Sequence, residues 1–288
     1  MALKIKKLLI LIFIFSLFSA CDFLQKDKKL LLQEKEKFIS AIEEDSEYIK
    51  NISKVLAFDS DIVKVYKELK ERVSNLEKID ENREILEKYG HKLKDIFNEI
   101  IRKYERDIGL PVKYRFYLSS EVLWLIPDKP YGEDIILQEI SQETLNIKEA
   151  INKTQIISGI FLGNNGLLFS SATPIQSETG EILGIVEVWT DFTNILEHYL
   201  YKNPKAKIMV ILKSDFQKFF KNILPNQSTD KGFILYSNLE KVDYSFVINR
   251  AIAMEKDSII KINNKSFIVI PLFDFTNKEI GKILFSTT

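Results

Sequence analysis

One basic residue stands out among the groups that can bind a ligand. Arg115 lies in the run VKYRFYL at 112–118, whose aromatic and β-branched composition is typical of a β-strand. Alternation along a strand places Arg115 and Tyr117 on one face and Phe116 on the other. A guanidinium on a sheet face can hold a carboxylate or a similar anion through two parallel hydrogen bonds. The run therefore indicates a binding position for an anionic group.

Two carboxylates offer a different use for the same guanidinium. Glu187 and Asp191 lie near the end of the run ILGIVEVWTDF at 182–192, which also has the composition of a strand. Either carboxylate can form an ion pair with Arg115 if the two strands lie close together. The sequence alone leaves both interpretations of Arg115 open, a ligand clamp and a structural ion pair.

Catalytic and metal-binding motifs are not recognisable in the sequence. The chain has two histidines, His91 and His198, and one cysteine, and none of them has the spacing of a metal site. It contains no P-loop, no GxGxxG and no GxSxG motif. We therefore expect no metal, no cofactor and no enzymatic activity.

The N-terminus has the pattern of a lipoprotein signal. Three lysines at positions 4, 6 and 7 precede an apolar run, which ends in LFSAC at Cys21, the only cysteine. This segment resembles a bacterial lipoprotein signal, although Phe18 stands where Leu is usual. The resemblance implies cleavage after residue 20 and lipidation of Cys21, which would attach the protein to a membrane. A short transmembrane anchor or a buried helix remains the alternative.

The charge balance argues against nucleic acid as a partner. The full chain has 41 Lys and Arg and 41 Asp and Glu, and removal of residues 1–20 takes away three lysines and no acidic residue. A slightly acidic chain lacks the clustered basic face that nucleic-acid binding requires. A hydrophobic content of 45% is sufficient for a buried core.

Residues 22–110 are expected to be helical. They contain no proline, Gly90 is the single glycine before Gly109, and apolar residues recur at helical spacing. We predict two or three long helices, the first rising as a stalk from the anchor over 21–58, with Asp59 and Ser60 starting the next. A separate helical bundle over 24–80 is the alternative, and the charged, narrow stripe can also pair with a second copy as a homodimer.

After Gly109 the sequence changes from helical to strand-like patterns, and one hairpin pattern occurs twice. Strand-like runs alternate with short helical segments in two blocks, 112–203 and 204–288, and we predict one such helix over 145–153. The block ends read ATPIQSETGEILGIVEVW and VIPLFDFTNKEIGKILF, each with a glycine ten positions after a proline. We expect Gly180 to form the first turn and Gly184 to permit close packing of the returning strand.

These features together resemble the double-Cache family of extracytoplasmic sensory domains. The resemblance covers residues 55–288, and its most specific stretches are 110–135 and the GLLFSSATP and GEILGIVE segments within 158–192. It implies an α+β fold, a long N-terminal helix followed by two PAS-like modules with antiparallel sheets. The implied division is a signal peptide over 1–20, a helical stalk over 21–58, a long helix with the membrane-distal module over 59–203, and a membrane-proximal module over 204–288.

The resemblance also implies where a ligand would bind. In Cache modules the ligand lies on one face of the first sheet, under the segment between the first strands, where Trp124 and Tyr131 would form an apolar wall. Tyr117 stands where many relatives have His, and Ser170 where they have Arg. The amino-acid-sensing signature of the family is not met, so the identity of the ligand does not carry over. The second module is expected to transmit rather than to bind.

The functional expectation is a lipid-anchored extracytoplasmic sensory protein. It would bind a small molecule, with an anionic group as the expected partner of the arginine, in the first module through Arg115, Tyr117, Trp124, Tyr131, Glu187 and Asp191. Having no apparent second membrane span, it would act through a membrane partner such as a sensor kinase or chemoreceptor. The alternative is a surface or structural lipoprotein that uses the same fold to contact a protein or a host molecule.

Overall fold

The computed structural model describes residues 2–73, 79–118, 124–127, 135–138, 145–163, 166–220, 227–240 and 242–287. Three helices precede the first sheet: α1 (Ala2–Ala57), α2 (Ser60–Arg72) and α3 (Ile79–Ile108). Asp59 caps α2, since its carboxylate accepts hydrogen bonds from the amides of Asp61 and Ile62 at 3.0 and 3.1 Å. This confirms the predicted helix start. Over these described residues, no helix carries an apolar stretch long enough to cross a membrane.

The first sheet is antiparallel and has six described strands. They are β1 (Lys113–Tyr117), β2 (Trp124–Pro127), β3 (Ile135–Gln138), β4 (Ile157–Gly163), β5 (Gly166–Gln176) and β6 (Ile182–Asp191). Their spatial order is β3-β2-β1-β6-β5-β4. One further helix, α4 (Leu145–Lys153), packs on one face of this sheet, as predicted for residues 145–153.

The second sheet repeats the same strand order. Helix α5 (Phe192–Lys202) leads into β7 (Lys207–Lys213), β8 (Gly232–Ser237), α6 (Tyr244–Ile252), β9 (Ile259–Ile262), β10 (Lys265–Phe273) and β11 (Glu279–Ser286), with a 3₁₀ helix at Ser214–Phe219. The spatial order β8-β7-β11-β10-β9 matches β2-β1-β6-β5-β4 of the first sheet. The two antiparallel modules behind long helices confirm the predicted α+β, tandem PAS-like fold.

The repeated hairpin has the same geometry in both modules. The ladder shifts its register one residue after the proline, next to Ile175 in the first module and next to Leu272 in the second. Six residues after the proline the backbone is left-handed, at Gly180 (φ 82°) and at Asn277 (φ 63°). Asn is one of the few residues with a side chain that adopt this conformation readily. The duplication predicted from the sequence therefore includes the turn conformation and the register shift, a β-bulge, after the proline.

The two hairpin glycines allow a close approach of neighbouring backbone. A Cβ atom at Gly184 would overlap the ring of Tyr66 in α2 and come within 2.5 Å of the carbonyl oxygen of Tyr117. A Cβ atom at Gly281 would overlap the carbonyl oxygen of Ile211 in β7. Both glycines follow their proline by ten residues, so the spacing in the sequence reports a real packing constraint.

Helix α1 belongs to the core of both modules. Near its middle, the ring of Phe38 stacks on Phe285 of the second sheet at 4.6 Å. Farther along, the Ser53 hydroxyl lies 2.8 Å from both Ser171 and Thr173 of β5, and all three residues are buried. From about Leu31 onward, the segment predicted as a stalk is therefore an integral part of the fold, because its apolar stripe is covered by the two sheets.

We predict that Gly184→Ala and Gly281→Ala each lower the free energy of unfolding by about 2 kcal/mol, since the added methyl group must displace backbone or a buried ring. Chemical denaturation monitored by circular dichroism measures the loss. The matched control is Glu178→Ala in the exposed turn, which should change stability by less than about 0.5 kcal/mol. Unchanged stability in both glycine variants would contradict the packing role.

Candidate functional site

The two faces of β1 point into different surroundings. Phe116 packs against Phe97 of α3 with ring centroids 4.2 Å apart, in the large core that includes α1. Tyr117 faces the other way and packs with Ile147 and Ala150 of α4. The alternation predicted for the VKYRFYL run is confirmed, and the face that carries Arg115 and Tyr117 lies on the α4 side of the sheet.

A buried carboxylate lies at the centre of this face. Glu187 of β6 is 6% exposed, and both of its oxygens accept hydrogen bonds at 2.6 Å. The Tyr117 hydroxyl donates to Oε2 and the Ser170 hydroxyl donates to Oε1. Hydrogen bonds to a charged acceptor are among the strong ones and offset part of the cost of burial.

Arg115 lies directly across the ladder from Glu187. Its Nη1 atom is 3.9 Å from Glu187 Oε2, and its guanidinium carbon is 4.2 Å from the ring of Trp189. The ion pair considered in the sequence analysis is therefore present, although it is long. The side chain is nevertheless 29% exposed, so a guanidinium held from one side by Trp189 and Glu187 can still contact a molecule on this face.

Burial keeps the Tyr117 hydroxyl, which donates to Glu187, in its protonated form. The pKa of Tyr117 is raised well above its usual value, first by desolvation and then by the neighbouring charge of Glu187, while Arg115 opposes the shift. The phenol therefore remains protonated at neutral pH and continues to donate to the carboxylate. We name these five residues, Arg115, Tyr117, Ser170, Glu187 and Trp189, the Glu187 cluster.

Three residues predicted for the site are not part of the described cluster. Asp191 lies at the end of β6, directly before α5, and its carboxylate is 3.5 Å from the ammonium of Lys113 rather than beside Arg115. Trp124 begins β2, where its backbone pairs with Tyr117 of β1, and its role in an apolar wall over the ligand stays a prediction. Tyr131 lies outside the described residues.

Two residues of the cluster were not assigned to the site from the sequence. Ser170 and Trp189 occupy facing positions of β5 and β6, and Ser170 donates to the carboxylate while Trp189 lies under the guanidinium. The register between β5 and β6 would have identified both residues. Given that pairing, alternation from Glu187 places Trp189 and its partner Ser170 on the same face.

The second module provides an internal comparison for this face. Leu284 follows Gly281 by three residues and pairs with Met209, just as Glu187 follows Gly184 by three and pairs with Arg115. The positions that hold Arg115, Tyr117, Ser170 and Glu187 are therefore occupied by residues that are buried in an apolar cluster under α6: Met209, Ile211, Phe267 and Leu284. The fold itself does not require polar residues at these positions.

The histidines do not contribute to a metal centre within the described part of the chain, where no group of three potential ligands occurs. Instead, Nδ1 of His198 in α5 lies 2.8 Å from the carboxylate of Asp45 in α1. Both side chains are largely buried, so the contact ties the helix that connects the two modules to the long helix.

We predict that Tyr117→Phe lowers the free energy of unfolding by about 2 kcal/mol, because Glu187 loses a buried hydrogen bond to its charged form. Equilibrium denaturation at neutral pH measures the change. Tyr201→Phe is the matched control, since Tyr201 is 87% exposed and its hydroxyl should matter little. Equal stability of the two variants would mean that the Tyr117 bond contributes nothing net.

No protein-family model matches the chain, and a search of curated proteins finds no significant match. Solved structures do match. The extracellular domain of vpHK1S-Z8, a protein named as a histidine kinase, gives a TM-score of 0.53 at 13% identity, over 91% of each chain. The sensor domain of the V. cholerae histidine kinase DctB gives 0.44 at 14% identity, over 91% of this chain and 99% of that one.

A third match is the ligand-binding domain of the Campylobacter jejuni chemoreceptor Tlp3 in complex with 4-methylisoleucine. It gives a TM-score of 0.37 at 14% identity, over 87% of this chain and 92% of that chain. At these sequence identities the similarity concerns the fold alone, and it rests on the match to the vpHK1S-Z8 domain. Taken with the matching strand orders of the two sheets, it shows that the chain shares the tandem PAS-like fold of that extracellular domain.

Proposed function

We propose that this protein is a lipid-anchored extracytoplasmic sensor that binds a small molecule on the α4 face of its first module. The observation that carries the proposal is the Glu187 cluster, four of whose five residues stand at positions where the second module has buried apolar residues. A buried carboxylate contributes little net stability compared with well-packed apolar residues, so its presence in one module only points to function.

The geometry supports a ligand that carries an anionic group. The Arg115 side chain is 29% exposed, while Trp189 beneath its guanidinium and Glu187 beside it restrict its orientation. Such restraint lowers the entropy lost when a carboxylate binds. Glu187 is in turn held by Tyr117 and Ser170, so the orientation of the guanidinium rests on buried hydrogen bonds.

Anchoring and signalling complete the proposal. Lipidation of Cys21 would place the first residues of the mature chain at a membrane, and α1 continues from there along both modules. The second module, with an apolar face in place of the cluster, would transmit the bound state to a sensor kinase or chemoreceptor. A contact between two copies of the chain would use residues other than the apolar stripe of α1, because the two sheets cover that stripe from about Leu31 onward.

Ligand binding is tested by thermal unfolding in the presence of amino acids, organic acids, amines and purines. A true ligand at about 100 times its Kd should raise the melting temperature by about 5 °C. Arg115→Ala should abolish the shift, while Lys113→Ala, which removes a more exposed cation from the same strand face, should retain it. No shift with any of the four classes would contradict the proposal and favour a role in protein contacts.

Anchoring is tested separately by detergent partitioning of cells that express the chain. The wild-type protein should enter the detergent phase, and Cys21→Ser, which cannot be lipidated, should remain in the aqueous phase or retain an uncleaved signal. Wild-type protein in the aqueous phase would rule out the anchor but would leave ligand binding untouched.

A further inference from the structure

A cavity of about 280 Å³ lies where α2 crosses the ends of β1 and β6. It is distinct from the Glu187 cluster, since of the five cluster residues only Tyr117 lines it. Most of its wall is aliphatic and comes from α2, α4, β6 and the end of β1: Leu69, Leu118, Ile151, Ile182, Leu183 and Ile185.

The polar groups of the wall are few, and two of them already have partners. The Lys70 ammonium forms an ion pair with Glu181, and the Tyr117 hydroxyl donates to Glu187. Tyr66 is different. It is 1% exposed, and among the residues that the structure describes no hydrogen-bond partner of its hydroxyl is found. A buried hydroxyl without a partner is uncommon and requires an explanation.

The position of Tyr66 is fixed by close packing. Its ring lies against Gly184, where a side chain would overlap it, and its centroid is 6.1 Å from that of Phe116. Desolvation raises the pKa of Tyr66 well above its usual value, so the phenol is neutral and can donate or accept. Because the oxygen is covered, a guest that pairs with it must displace part of the aliphatic wall, whose side chains can shift.

We propose that this cavity is a second binding site, for a small uncharged molecule that is mostly apolar and carries one hydrogen-bonding group for Tyr66. The volume lies just below the range of about 300–1,000 Å³ typical of drug-sized ligands, which suits a single ring. The aliphatic wall disfavours a charged guest, because the Lys70 ammonium at this wall is already paired and an unpaired buried charge is costly.

This site is separate from the anion site of the proposed function, but the two sites share one residue. Tyr117 lines the cavity, while its hydroxyl holds the carboxylate of the Glu187 cluster. A guest in the cavity would therefore contact the residue that orients Glu187, and through it Arg115. The cavity ligand would be chemically unlike the anionic ligand of the α4 face.

The test uses p-cresol and toluene, which have the same shape but differ by one hydroxyl group. Their affinities for the full chain are measured by titration calorimetry at neutral pH. In Tyr66→Phe the ratio of p-cresol affinity to toluene affinity should fall by about fivefold, the size expected for one hydrogen bond. Tyr201→Phe, an exposed Tyr→Phe change, should leave the ratio unaltered.

A second variant controls for binding elsewhere. Ile182→Trp fills the cavity from a partly exposed position and should abolish binding of both probes. The site is ruled out if neither probe binds the wild type, if Ile182→Trp still binds both, or if Tyr66→Phe keeps the wild-type ratio. The anion-induced melting shift assigned to Arg115 should persist in Tyr66→Phe, so either proposal can fail while the other stands.

Discussion

The whole structure depends on one helix that is shared between two sheets. Phe38 of α1 is buried between Phe285 of β11 and Tyr199 of α5, and Ser53 is bonded to Ser171 and Thr173 of β5. The buried Lys35 adds an ion pair with the partly exposed Asp257 at 2.9 Å. If either module were absent, part of the apolar face of α1 would be exposed to water. Each sheet therefore depends on the same helix to cover one of its faces.

A second connection joins the modules at a sheet edge. Phe275, in the turn between β10 and β11, donates its amide to the carbonyl of Ile160 in β4 at 3.0 Å, and its ring stacks on Phe161 at 4.2 Å. A Cβ atom at Gly159 would come within 2.9 Å of Phe275, so the glycine permits the contact. The turn thereby covers an edge strand that would otherwise present unpaired backbone groups.

The same edge lies next to the candidate site. Gly159 pairs directly with Ser170, whose hydroxyl holds Glu187. Only one strand, β4, therefore lies between β5, which carries Ser170 of the Glu187 cluster, and the hairpin turn at Phe275 in the second module. A ligand that moves Ser170 acts on a segment that already contacts the second module. The physical requirement for such coupling is a continuous set of packed groups, and this one is short.

Features that are determined within a single strand or turn could be predicted from the sequence. The proline–glycine spacing anticipated the hairpins, and alternation put Arg115 and Tyr117 on one face. Prediction failed where the answer depends on another element. Ser170 joins the cluster only through the register of β5 against β6, and Trp124 is a strand residue because β1 is available to pair with it. The sharing of α1 by two sheets is likewise not encoded in the periodicity of the helix, which shows an apolar stripe but not its partner.

The duplication gives the strongest reason to assign different roles to the two modules. Both have the same strand order, the same bulge and the same close glycine contact, so the strands of the two sheets are packed in the same way. At the positions equivalent to Arg115, Tyr117, Ser170 and Glu187, the second has buried apolar residues under α6, which is the more stable choice for a buried face. The first instead keeps a carboxylate, a guanidinium and two hydroxyl groups under α4. Because the shared fold accommodates apolar residues at these positions, the polar cluster of the first module is not a requirement of the fold.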